Sequence, residues 1–185
     1  MITRFINAAK IRNTIDTDFS GVGTYLEYPY IPRGEIWIDR YLKTEQPLLL
    51  ALAKLERKMK GQPFALIRET AKKELTIPLT KLNVQKVEKV GPFTVSYVDG
   101  RDVRRHFDPY FLLGGHDLVY SYIPKGHIWI DTRSDPDDWK YTLIHETEER
   151  KLMKKGVSYA DAHDLALAVE RAARRKDKAA DFIRG

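Results

Sequence analysis

The sequence predicts an α+β protein made of two related units in tandem, residues 1–86 and 87–185, each a small antiparallel sheet covered by a helical hairpin. The first reason is an internal repeat, because YIPRGEIWID at residues 30–39 recurs as YIPKGHIWID at residues 122–131, an offset of 92 positions. The second is the order of patterns inside each unit, where strand-like segments precede two segments with helix start and stop residues.

The strands of the second unit follow from alternation and turn residues. Phe93–Val98 alternates as a half-buried strand does, and the Asp99-Gly100 turn signal predicts a hairpin with residues 103–107. Another strand is predicted at residues 127–131. On one face of that strand lie His127, Trp129 and Asp131.

Helix boundary residues mark two helices after these strands. Asp135 as a cap and Pro136 at the first helical position predict the start of the first helix, and Gly156 predicts its end. Ser158 and Asp161 resemble a capping box and predict a second helix through most of the tail. The first unit repeats this plan, and without a low-complexity linker the two units are expected to pack together.

The charge, cysteine content and hydropathy of the chain exclude several classes of function. The 185 residues carry a formal charge of +6, which allows a polyanionic partner. The absence of cysteine excludes disulfides and cysteine-based zinc sites. No apolar run reaches the roughly 18 residues of a spanning helix, and the N-terminus lacks the apolar core of a signal peptide, so we expect a cytoplasmic protein without membrane contact. Abundant Lys and Glu are typical of heat-adapted proteins.

The repeat is asymmetric in its histidines, because all five lie in the second unit. Around His145 and Glu146 the two copies align ambiguously. Either alignment places a leucine and an alanine there in the first unit, Leu50 and Ala51 or Leu52 and Ala53. Any function of these two residues is therefore confined to the second unit.

The residues best suited to chemistry lie on the last two predicted helices. His145 and Glu149 are four residues apart and share one helix face, while His163 and Glu170 lie on the core-like face of the next helix. Unpaired charge is costly to bury, so these groups are expected to share a partner, for which a divalent metal ion is the first candidate.

A mononuclear zinc hydrolase needs three protein ligands and a carboxylate that acts as general base on a bound water molecule. We assign His145, Glu149 and His163 as ligands and Glu146 as the base. Zinc is expected from the nitrogen and oxygen ligand set, which manganese, iron or nickel also suits. Residues assigned as a fourth ligand or as hydrogen-bonding partners of a ligand are Glu170, His116, His127 and Asp131.

The segment from His145 to Glu149, HETEE, resembles the active-site helix of zincin-type metallopeptidases, with Glu149 in place of the second histidine. This resemblance implies hydrolysis of a peptide or other amide bond. The extra negative charge of Glu149 makes a bound water less acidic. The wider pattern, from the IWID strand to His163, resembles a group of uncharacterised proteins from viruses and mobile elements, which implies no particular activity.

The sequence is also compatible with two other functions. Basic residues crowd the last helix and would suit a nucleic-acid partner, with the histidines and glutamates forming a structural polar cluster without metal. These residues are Arg171, Arg174, Arg175 and Lys178. Alternatively, the protein is an interaction module whose two units form one pseudo-symmetric interface.

Overall fold

The computed structural model describes residues 1–79 and 81–184. The elements of the first unit are, in order, β1 (Ile2–Ile6), α1 (Ala8–Thr14), β2 (Val22–Thr24), β3 (Glu35–Asp39), a 3-10 helix (Arg40–Glu45), α2 (Gln46–Lys58) and α3 (Phe64–Leu75). Those of the second are β4 (Val84–Val90), β5 (Phe93–Val98), α4 (Gly100–His106), β6 (Gly114–His116), β7 (His127–Asp131), a 3-10 helix (Pro136–Asp138), α5 (Trp139–Lys154) and α6 (Tyr159–Arg184). The predicted boundary at residue 86 lies inside β4, which pairs with β5 and so belongs to the second sheet. No helix of the described chain is long and apolar enough to cross a membrane.

Each unit contains one mixed sheet, which confirms the α+β class but corrects the predicted antiparallel pairing. The strand order is β1-β3-β2 in the first sheet and β4-β5-β7-β6 in the second. The pairs β1–β3 and β5–β7 are parallel, whereas β2 and β6 run antiparallel to β3 and β7. The register repeats at the offset of 92, since Ile2 lies opposite Glu35 and Thr94 opposite His127.

The hairpin predicted after β5 is wrong because Asp99 caps a helix instead of forming a turn. Its side chain accepts a hydrogen bond from the backbone N–H of Arg101, and α4 follows directly. The side chain of Asn7 makes the equivalent bond with Lys10 before α1. A helix after β5 returns the chain to the end of the sheet at which β5 began. The strand that pairs with β5 after this crossover, β7, can therefore run parallel to it.

The two helices predicted at the end of the second unit are confirmed. Asp135 accepts a hydrogen bond from the backbone N–H of Asp137 and caps the 3-10 helix that leads into α5. Gly156 has a φ of +90° just after α5, a conformation that favours glycine. The Ser158 hydroxyl accepts a hydrogen bond from the backbone N–H of Asp161 at 3.2 Å and opens α6.

The two units contact each other through a reciprocal pair of buried ion pairs. Arg104 of α4 holds Glu45 of the first unit with two hydrogen bonds of 2.6 and 2.8 Å. Arg12, at the equivalent position of α1, bonds Asp138 of the second unit, with Nε 3.0 Å from Oδ2. Each unit contributes the arginine of one ion pair and the carboxylate of the other. The two units are therefore related by a pseudo-twofold axis.

This symmetry resolves the ambiguous alignment of the central helices. Glu45 and Asp138 each directly precede a helix, α2 and α5, so these helices align at an offset of 93. Leu52 and Ala53 then occupy the positions of His145 and Glu146. The same offset places Glu56 at the position of Glu149.

Candidate metal centre

Helices α5 and α6 pack against each other and bring three candidate ligands together. Nε2 of His145 lies 3.4 Å from Oε2 of Glu149 and 3.1 Å from Nδ1 of His163. The third distance, from Nδ1 of His163 to Oε2 of Glu149, is 2.8 Å. Ligand atoms of a tetrahedral zinc ion lie about 3.3 Å apart, so the three residues could hold a metal ion between them.

The imidazole of His145 is oriented from its far side by Glu170. Nδ1 of His145 lies 3.1 Å from Oε2 of Glu170, which can only accept a hydrogen bond when it is ionised. Arg174 donates to the other oxygen of Glu170 at 2.9 Å and neutralises its charge. The proton of neutral His145 is therefore held on Nδ1, and the lone pair of Nε2 points towards His163 and Glu149.

Glu149 is oriented in the same way by His116, which is fully buried in the edge strand β6. Nε2 of His116 lies 3.0 Å from Oε1 of Glu149, while the backbone N–H of Leu118 donates to Nδ1 of His116 at 3.2 Å. Because Nδ1 is an acceptor, Nε2 carries the proton and donates it to Glu149. His116 therefore holds a candidate ligand in place. With Glu146 and Glu149 it also forms a second group whose potential ligand atoms lie within 4.8 Å of one another.

His163 is oriented by a residue of the first unit that the sequence did not indicate. Nε2 of His163 lies 3.2 Å from Oδ1 of Asp18. Asp18 belongs to the loop after α1 and lies in no motif, so only the packing of the two units places it here. The first unit is thus part of the site as well as its support.

Charges in the cluster shift the pKa values of its members. Burial lowers the pKa of His145, but hydrogen bonds to Glu149 and Glu170 outweigh this effect and raise it to about 10. Hydrogen bonds to Asp18 and Glu149 raise the pKa of His163 to about 9. Burial opposes ionisation of Glu149, yet its bonds to the three histidines hold its pKa far below the ordinary value. Without a metal, His145 and His163 thus retain their protons at neutral pH.

Glu146 lies beside this cluster and lines the same cleft. Burial raises the pKa of its carboxyl to about 7. A carboxylate with a pKa close to neutrality can act as a general base.

The cluster opens onto a cleft of about 810 Å³ that is walled by both units. Helix α3 contributes one wall, and the loop at residues 117–126 with α5 and α6 contributes the other. Residues at the metal end are His145, Glu146, Glu149, Tyr159 and His163.

His127 and Asp131 do not belong to the site, because their face of β7 is turned away from α5. Ile128 and Ile130 pack against Leu143 of α5, so the alternate residues face the other side of the sheet. Asp131 there accepts a 2.5 Å hydrogen bond from Arg104. The sequence showed that these residues share one face but not which face meets the helices.

The basic residues of α6 mostly serve contacts inside the protein. Arg174 is buried and bonds Glu170 and Asp138. Lys178 donates to the backbone carbonyl of Asn13 at 2.8 Å, near the C-terminal end of α1, where a cation is favoured. Arg171 lies 3.4 Å from the Thr17 hydroxyl, and Arg175 is exposed. Arg171 and Lys178, together with Arg174 through its 3.0 Å hydrogen bond to Asn13, join α6 to the first unit.

Comparison with protein-family models, curated proteins and solved structures finds no match to this chain.

Proposed function

We propose that this protein is a metal-dependent hydrolase whose zinc ion is bound by His145, Glu149 and His163. The proposal is based on one observation. Potential ligand atoms of His145, Glu149 and His163 lie close together, and the other ring nitrogen or carboxylate oxygen of each residue is hydrogen-bonded to Glu170, His116 or Asp18. Such outer hydrogen bonds are the usual support of metal-ligating histidines and carboxylates. Two imidazoles and one carboxylate suit zinc and leave one position of a tetrahedral ion for water.

The chemistry follows from the position of Glu146. A bound zinc ion would lower the pKa of a water molecule and polarise the bond to be cleaved. Glu146 follows a ligand in sequence and lines the cleft, so it can take the proton of that water and pass it to the leaving group. A peptide or other amide bond is the substrate that the His-Glu spacing favours.

The alternative interpretation of the cluster is a set of hydrogen bonds without metal. The open cleft beside it favours a catalytic role, because a purely structural cluster does not need a route for a substrate.

Metal content of the untagged protein tests the proposal. Elemental analysis and native mass spectrometry are expected to show about one zinc ion per chain, lost in His145→Ala. Glu146→Gln is expected to keep the metal and to lose hydrolysis of fluorogenic peptides. Protein that takes up no transition metal after incubation with zinc would contradict the proposal, and so would a metal that persists in His145→Ala.

A further inference from the structure

The cleft beside the metal centre is itself pseudo-symmetric. Residues at equivalent positions of the two units line its two halves, at offsets of 92 in the loops, 93 in the central helices and 95 in the last helices. The equivalent lining pairs are Ser20 with Leu112, Glu27 with Val119, Glu56 with Glu149, Phe64 with Tyr159, and Arg68 with His163. The pseudo-twofold axis therefore passes through the cleft, with the metal ligands on one side.

The half without histidines cannot form a second metal centre of this kind. Leu52 stands where the other half has His145, and Arg68 stands where it has His163, so Glu56 is the single ligand type retained. This carboxylate accepts a hydrogen bond from Tyr110 at 2.9 Å. We call this side of the cleft the apolar half because the ring of Phe64 is exposed in it. It is lined by Phe64, Ala65, Tyr110 and Leu112, together with Ser20, Glu27, Glu56, Arg68, Glu69 and Lys72.

The cations of the apolar half are already paired. The guanidinium of Arg68 bonds the fully buried Asp108 at 2.6 and 2.8 Å and stacks on the ring of Tyr120 at 4.7 Å. Lys72 lies 2.8 Å from Glu69. These pairs leave the apolar half with little attraction for an anionic ligand.

Large apolar side chains are exposed around the cleft instead. Phe64 is 58% exposed in the apolar half, and on the facing wall Tyr159 is 51% and Leu118 44% exposed. The ring of Phe64 stands edge-on to Tyr110 with centroids 5.1 Å apart, and the ring of Tyr159 lies 5.7 Å from His163. Convergence of exposed apolar groups on one concave surface is typical of a ligand site.

We infer that the apolar half is the specificity subsite of the enzyme, and that it binds an apolar aliphatic or aromatic group of the substrate whose bond is cleaved at the metal half. The inference rests on the proposed function for the reaction, while the subsite itself rests on the exposed apolar residues. In this arrangement residues of both units, Phe64 of the first and Tyr110 and Leu112 of the second, contact the selected group of the substrate. The cleft of about 810 Å³ has room for a ligand that spans both halves.

A series of hydroxamic acids tests the subsite, because the head group binds zinc while the tail extends along the cleft. Acetohydroxamate, butyrohydroxamate, hexanohydroxamate and octanohydroxamate are titrated calorimetrically into zinc-loaded and metal-free full-length protein. We expect the dissociation constant to fall about three- to fourfold per methylene group as the tail is buried. Phe64→Ala is expected to reduce this dependence to less than twofold per methylene group, because Phe64 is the exposed large apolar side chain of this half.

Leu66→Ala is the matched control, because Leu66 lies on the same helix and is 49% exposed but does not line the cleft. It is expected to keep the wild-type dependence on tail length. Zinc-loaded protein whose affinity does not rise with tail length, or rises equally in Phe64→Ala, would overturn the subsite. Protein that takes up no zinc and ignores acetohydroxamate, yet binds octanohydroxamate in a Phe64-dependent way, would overturn the metal centre and support the subsite.

Discussion

Oδ1 of Asp18 lies 3.2 Å from Nε2 of His163, and the two residues are 145 positions apart in the chain. This hydrogen bond joins the unit without histidines to a candidate metal ligand. It holds the proton of neutral His163 on Nε2 and so turns the lone pair of Nδ1 towards Glu149.

Asp18→Asn is expected to weaken zinc binding about tenfold, at the lower end of the effects seen for such outer hydrogen bonds, because Asp18 is half exposed. Competition with a chromogenic chelator measures the affinity. Asp164→Asn is the matched control, since Asp164 is an exposed aspartate next to His163 on α6 and removes the same charge. Equal affinities of the two variants would show that Asp18 does not act on the ligand.

His116→Ala is expected to weaken zinc binding about 10- to 100-fold without abolishing it, because His116 orients Glu149 and does not bind the ion. His145→Ala, in contrast, removes a ligand. His127→Ala should leave the affinity unchanged, since this histidine lies on the other face of the sheet. Complete loss of metal in His116→Ala would instead identify His116 as a ligand.

Zinc uptake is expected to release up to about two protons per ion at pH 7, because the pKa of His145 is raised to about 10 and that of His163 to about 9 in the metal-free protein. Calorimetric titration in buffers with different ionisation enthalpies measures this number. Zinc affinity should therefore rise with pH between 7 and 9. Binding without proton release would contradict protonated histidines in the metal-free cluster.

The same pKa values predict how the stability of the metal-free protein depends on pH. Both histidines have folded-state pKa values above the unfolded value of about 6.5, so their stabilising contribution is present below that pH and is lost as pH rises through 9 to 10. The melting temperature of the metal-free protein should fall over this range more than that of the zinc-bound protein. A parallel fall in both would indicate that other groups dominate.

Arg104→Ala is expected to lower the free energy of unfolding by about 3–5 kcal/mol, because it leaves the buried carboxylates of Glu45 and Asp131 without their partner. For a chain of this size the melting temperature should fall by about 6–20 °C. Arg101→Ala on the same helix is the control, since its side chain is 47% exposed and it faces Asp99 at 3.7 Å. Similar melting temperatures for the two variants would contradict a stabilising role of the ion pair between the units.

Much of the candidate site could be predicted from the sequence because it depends on spacing within helices. His145 and Glu149 share a face whenever that segment is helical. Gly156 marks the end of their helix, and Ser158 marks the start of the next one. The offset of 92 revealed the repeat before any pairing was known. These features arise from local hydrogen bonds and side-chain periodicity, which neighbouring residues decide.

Only the tertiary structure decided the contacts that join distant segments. The parallel pairing of β5 with β7 depends on α4, which begins at the Asp99-Gly100 pair that was interpreted as a turn. Asp131 lies outside the candidate site because the other face of β7 packs against α5. The positions of Asp18 and His116 around the ligands have no local signature either. The physical reason is that these contacts form when whole helix and sheet faces are buried against each other. The residues adjacent in sequence do not determine which faces meet.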